Sequence, residues 1–170
     1  KTLKIHTIGD KGNSNFFTRK VSQASRESTL HEQSRRGIGV EKVLALMYAS
    51  EVLNNSKINN SKINELQRKI EEITEFKDQG DFLALVKSAS NLKEISKVLQ
   101  VSESIGDGLG YDILKPVFDG GGKLIEILKV EIKTSKNGQQ IHLSENERQK
   151  IIYFSENDNS WRLYHYFGDD

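Results

Sequence analysis

The chain has 170 residues, enough for one domain with a sizeable core and a modest extension, and no apolar run approaches the roughly 20 residues of a membrane-spanning helix. It has no cysteine, which excludes disulfides and thiolate metal sites, and its four scattered histidines lack zinc-ligand spacing, which excludes a zinc hydrolase. A net charge of +1 gives no argument for nucleic-acid binding from the total; binding would require Lys and Arg gathered on one face.

In chain order, Lys1 opens the sequence with neither a methionine nor a signal-peptide pattern, so a longer parent protein is expected, and the absence of cysteine suits a bacterial cytoplasm. Residues 1–32 combine a short apolar alternation (Leu3, Ile5), the turn-forming run Gly9 to Asn13 and a stretch rich in Ser, Arg and Gln, which predicts a strand, a turn and then a linker from an upstream region. The main domain is placed at 33–170. From about Gln33 the pattern turns helical, with Val40, Val43, Leu44, Met47 and Tyr48 as the expected buried stripe and Glu41 beside it. The pentad Asn54 to Ile58 repeats as Asn59 to Ile63, too few copies for a solenoid and too polar for a core, so a loop is expected. Residues 54–96 read as a helical insert: Ile63, Leu66, Ile70 and Ile73 step helically, Phe82, Leu83, Leu85 and Val86 begin a second amphipathic stretch, and Asn91 with Glu94 resembles a capping box. Lys97 to Glu103 is expected to become the first core strand.

The chemistry lies further on. Gly106, Gly108 and Gly110 frame Tyr111-Asp112, which should be delivered into a strand; Asp119-Gly120-Gly121-Gly122 with Lys123 predicts a hairpin, and its return strand carries Val130-Glu131-Ile132-Lys133-Thr134. Side chains alternate along a strand, so Glu131 and Lys133 share one face while Val130 and Ile132 enter the apolar layer opposite. Asp112 on the antiparallel partner reaches the same edge as Glu131. Two converging carboxylates repel unless a cation lies between them, and hard oxygen ligands favour Mg²⁺, with Mn²⁺ as substitute, the Ile132 carbonyl being within reach. Lys133 would orient the nucleophile and offset charge on a scissile phosphate. The alternative is a solvated strand face with cross-strand ion pairing.

Gly-Asp-Gly-x-Gly-Tyr-Asp-Ile, a hairpin, Glu-Ile-Lys-Thr, then Leu143-Ser144-Glu145-Asn146-Glu147 and an aromatic closing strand from Trp161 to Phe167 together resemble the NO VEIN C-terminal domain family, a branch of the PD-(D/E)XK nuclease superfamily. The resemblance spans roughly residues 34 to 170, with the long middle segment unmatched. It implies an α/β restriction-endonuclease-like αβββαβ core, a mixed central sheet flanked by helices, and divalent-metal cleavage of DNA in a restriction or anti-phage protein. It also implies an auxiliary acid on the first helix. Arg36 to Leu44 is similar to the start of that helix and places Glu41 in the role, although Val40 separates the second glycine from the glutamate.

Beyond Lys133, Gln139 to Leu143 alternates like a short strand, and Ser144 with Glu147 predicts a capped helix through about Phe154. In related nuclease folds this helix lies beside the DNA backbone, which makes Lys129, Lys136, Arg148 and Lys150 the candidate phosphate contacts. The expected partners are DNA, a second copy of the chain, and a recognition or NTPase module in the same parent protein. A catalytically inactive nuclease-fold module that binds nucleic acid or protein is the alternative, because a fold does not establish turnover.

Overall fold

The computed structural model describes residues 5–8, 23–54, 61–135, 141 and 143–167, with the backbone alone described for 5–8, 23–36 and 167. The elements run β1 (Ile5–Ile8), α1 (Gln23–Asn54), α2 (Ser61–Glu71), α3 (Gly80–Ser88), α4 (Leu92–Leu99), α5 (Val101–Ser104), β2 (Ile113–Phe118), β3 (Leu124–Ser135), α6 (Glu145–Asn157) and β4 (Trp161–Phe167). This is an α/β arrangement: a mixed, open, four-stranded sheet in the order β1-β4-β3-β2, flanked by helices. No described helix is long and apolar enough to cross a membrane.

β2 and β3 form the predicted hairpin. Asp119 makes the turn: its Oδ1 accepts from the amides of Gly121 and Lys123, and Gly122, at φ 80°, takes a left-handed conformation that a side chain would strain. β4 then runs parallel to β3 after the crossover through α6, and β1 adds parallel to β4 at the far edge. Ser144 and Glu147 cap α6 reciprocally, as the sequence predicts.

β3 is twice as long as β2, 12 residues against 6. Its first part pairs with β2 as far as Ile113↔Val130, and its second part pairs with β4 from Lys129↔Trp161 to Ser135↔Phe167. Beyond Val130, no described strand pairs with the edge of β3 that faced β2. The two faces of the sheet differ in cover. Tyr48 of α1 packs near Lys115 and Tyr164 on the face that also carries Val130 and Ile132, whereas Phe154 of α6 stacks on Trp161 on the face of Lys129, Glu131 and Lys133.

Three expectations are corrected. Lys97 to Glu103 is helical apart from Gln100, which joins α4 to α5, because Ile95, Val98 and Leu99 bury at a three-to-four residue step once Asn91 has accepted the Glu94 amide and opened α4. Among the described residues no strand therefore lies between α1 and β2, and the fourth strand of the sheet is β1 instead. The stripe of α1 is also displaced: Leu44, Ala45, Tyr48, Ala49 and Val52 are buried, while Val43 and Met47 are 57% and 51% exposed. This inner face, with two alanines in it, packs against α4, β3 and β2. Finally, α1 begins at Gln23, inside the segment expected to be a linker.

The predicted helical insert holds α2 and α3, with Ile63, Leu66, Ile70, Phe82 and Val86 buried in the core. Residues 55–60 of the pentad repeat and most of the strand expected at Gln139 to Leu143 lie outside the described residues; Ile141 and Leu143 themselves are not in a strand.

Candidate functional site

Asp112 is positioned by the glycines before it. Gly110 takes φ 81°, and a Cβ there would come within 2.6 Å of the Phe154 ring, so glycine serves both the turn and the close approach of α6. Its carbonyl accepts from Trp161 Nε1 at 3.0 Å, and the fully buried Tyr111 packs edge-on against Phe154. Asp112 thus arrives one residue ahead of β2. Its amide donates to the Val130 carbonyl at 2.9 Å and its carbonyl accepts from the Ser102 amide at 3.1 Å. Its carboxylate Oδ2 accepts from the Ile132 amide at 2.7 Å, taking the place of the missing β2 neighbour on this edge of β3. Burial, followed by repulsion from Glu131 and Glu41, pushes the Asp112 carboxyl up to about 8, against the opposing pull of the Ile132 amide and Lys133.

Glu131 and Lys133 follow on the same face of β3, both largely covered. The Lys133 ammonium lies 3.3 Å from Glu131 Oε1 and 2.5 Å from Glu147 Oε1 on α6. Burial acts against this ammonium, but the Glu131 and Glu147 carboxylates outweigh it and hold its pKa above the usual lysine value. The Glu131 carboxyl is raised, by burial above all, although Lys133 opposes the shift. Glu147 is lowered despite partial burial, because Lys133 and the Ser144 amide both donate to it.

Glu41 completes the group from the other side of the sheet. It occupies the buried face of α1, four residues before Ala45, and its Oε2 accepts from Ser102 Oγ at 2.6 Å. Burial raises its carboxyl too, with the Ser102 and Gln100 side chains partly offsetting it. All four predicted residues (Glu41, Asp112, Glu131 and Lys133) line one cleft of about 670 Å³, together with Ile132, Glu147 and Lys150.

Each acidic side chain is held by a protein donor: Asp112 by Ile132, Glu131 by Lys133 and Glu41 by Ser102. Accordingly, no three carboxylates or imidazoles among the described residues gather at one point as a ready-made metal cluster. The donor set is nevertheless of the hard-oxygen kind that Mg²⁺ or Mn²⁺ takes, and three carboxyls raised by burial in one cleft would be eased by a cation. Asp112 and Glu131 could hold it. The Ile132 carbonyl lies on the same strand edge as the amide that Asp112 accepts from, and could join them.

The candidate phosphate contacts separate. Lys150 lines the cleft, its ammonium 3.4 Å from the Gly108 carbonyl. Arg148 is exposed on α6, 3.7 Å from Glu145, and does not line the cleft. Lys136 lies outside the described residues. Lys129 is corrected: it is 9% exposed, and its ammonium is bound by Glu75 at 2.8 Å and Asp158 at 2.7 Å, so it is committed inside the protein rather than toward a phosphate.

Sequence reasoning missed Ser102, Gln100 and the second role of Glu147. The last left no local signal beyond the cap, because only the packing of α6 on the sheet brings a lysine 14 residues away to its second oxygen. No protein-family model, no curated protein and no solved structure matches the chain.

Proposed function

We propose that this cleft is the active site of a divalent-cation-dependent nuclease of the PD-(D/E)XK kind, hydrolysing phosphodiester bonds in DNA within a restriction or anti-phage defence protein. The observation that carries the reading is the overhang of β3, which brings Asp112, Glu131 and Lys133 into one cleft that Glu41 also lines. On this reading α1, the β2–β3 hairpin, α6 and β4 are the nuclease core, with helices α4 and α5 where the first strand was expected.

A divalent cation held by Asp112, Glu131 and the Ile132 carbonyl would supply Lewis-acid polarisation of the phosphate and a more acidic water. The protein's own groups do the rest. Lys133 orients the attacking water and offsets the negative charge that grows on the phosphoryl oxygens as the leaving oxygen departs. Glu41 assists from α1, and its hydrogen bond to Ser102 fixes its direction. Lys150 at the cleft and Arg148 on the outer face of α6 contact the DNA backbone. Two strands require two active sites or two visits, which a homodimer would provide.

The test is Mg²⁺-dependent cleavage of modified and unmodified plasmid DNA, with Glu131→Ala run beside the wild type. The expected result is nicking or linearisation that disappears in the variant. Inactivity of both well-folded proteins on both DNAs would point instead to a noncatalytic module that binds nucleic acid or protein.

A further inference from the structure

Glu147 occupies two structures at once. Its Oε2 accepts from the Ser144 amide at 2.7 Å and so closes the capping box of α6, while its Oε1 accepts from the Lys133 ammonium at 2.5 Å. Lys133 is 3.3 Å from Glu131 on its other side, so the ammonium bridges two carboxylates rather than resting on one. With Glu147 absent, its remaining carboxylate contact among the described residues would be Glu131, and the lysine would neutralise the acid that the proposed cation needs. We propose that Glu147 is a positioning residue: it shares the Lys133 ammonium with Glu131, so that the lysine does not rest on that acid alone, and fixes it in the cleft, while its other oxygen ties that position to the start of α6. The part of this concerning reaction rate rests on the nuclease reading above; the part concerning the ammonium does not.

The two roles can be separated by substitution. Glutamine serves the capping box as well as glutamate does, so Glu147→Gln keeps an acceptor for the Ser144 amide but presents no charge to Lys133. Ser144→Ala does the reverse, removing the side-chain cap and leaving the Glu147 carboxylate in place. The readouts are cleavage rate, melting temperature and the ¹H–¹⁵N side-chain signal of Lys133, which a doubly bonded ammonium gives as a slowly exchanging resonance.

Glu147→Gln is expected to melt somewhat below the wild type through the lost ion pair, to lose the slow Lys133 signal, and to lose on the order of 10- to 100-fold in kcat with little change in KM, a loss like that seen when the residue orienting a site group is removed. Ser144→Ala is expected to melt lower yet keep both the signal and the kcat of the folded protein. A Glu147→Gln variant whose Lys133 signal matches the wild type overturns the proposal, as does one that turns over at the wild-type rate. If the wild type cleaves nothing, the nuclease reading fails, and the Lys133 signal alone then decides whether Glu147 positions the ammonium.

Discussion

Two lysines on the same face of β3, four residues apart, each bridge a pair of carboxylates, yet their surroundings differ. Lys129 joins Glu75, in the turn between α2 and α3, to Asp158 at the end of α6, and lies over the Tyr111 ring. There the Lys129 ammonium, with the Ser160 hydroxyl and amide, holds the Asp158 carboxyl below its usual range in spite of partial burial. Lys133 joins Glu131 to Glu147, but Asp112 and Glu41 crowd the same cleft, and here burial and mutual repulsion carry three carboxyls upward. The first sets one ammonium between two carboxylates and ties the helical insert to the sheet. The second sets one ammonium among four carboxyl groups, Glu131, Glu147, Asp112 and Glu41, a larger anion excess that favours a bound cation.

The largest separation of the two should come from removing each lysine. Lys133→Met is expected to cut cleavage by about 100- to 1000-fold, the scale seen when a charge-stabilising donor is lost, and to lower the melting temperature as well, because Glu131 and Glu147 lose their shared counter-ion. Lys129→Met should leave the rate per folded molecule intact but cost roughly 2–3 kcal/mol in chemical denaturation, somewhat below the range for fully buried pairs because Glu75 is about one-third exposed. If both variants lose activity and keep stability, the contrast between the two ends of the strand is wrong.

Next in size is Gly110→Ala. It forces an L-residue into the left-handed region and drives a methyl group into Phe154, so a loss of about 2 kcal/mol or more is expected. The measurement is again the unfolding midpoint. A neutral result would mean that α6 is not pinned at the glycine turn.

The pH dependence follows from the sign of the Asp112 shift. Its folded-state value, about 8, lies above its ordinary value of 3.8, so the folded protein binds this proton more tightly than the unfolded chain does. The stability it contributes is complete below about 4 and is lost as the pH rises toward 8. In divalent-free buffer the melting temperature of the wild type, relative to Asp112→Asn, should therefore fall across that window, and added Mg²⁺ should flatten the difference. The smallest effect is expected on the outer face of α1, where Met47→Lys should change stability by about 0.5 kcal/mol or less.

The residues of the candidate site were legible because they sit on regular local structure. A glycine turn, an alternating strand and a hairpin place Asp112, Glu131 and Lys133 by arithmetic of two residues per repeat. Glu41 was legible only as a flank of a helix; the inward face holds the alanine pair at 45 and 49, and small residues carry little weight in an apolar pattern. Val98-Leu99-Gln100-Val101 reads as well for a strand as for a helix when it is short, and the Asn91 cap settled it in favour of the helix. The pairing of β1 with β4 joins residues some 160 positions apart and has no local signature. Glu147 was read for its cap alone, since the partner of its second oxygen, 14 residues away, depends on how α6 lies on the sheet.

The most direct test of the claimed anion excess is a titration of the metal-free protein with Mn²⁺, followed by relaxation of water protons and by melting temperature, on the wild type and on Glu131→Gln. The account predicts saturable binding with a rise in melting temperature in the wild type, both lost in Glu131→Gln. A folded wild type that takes up no cation, or a variant that binds it equally well, would contradict it.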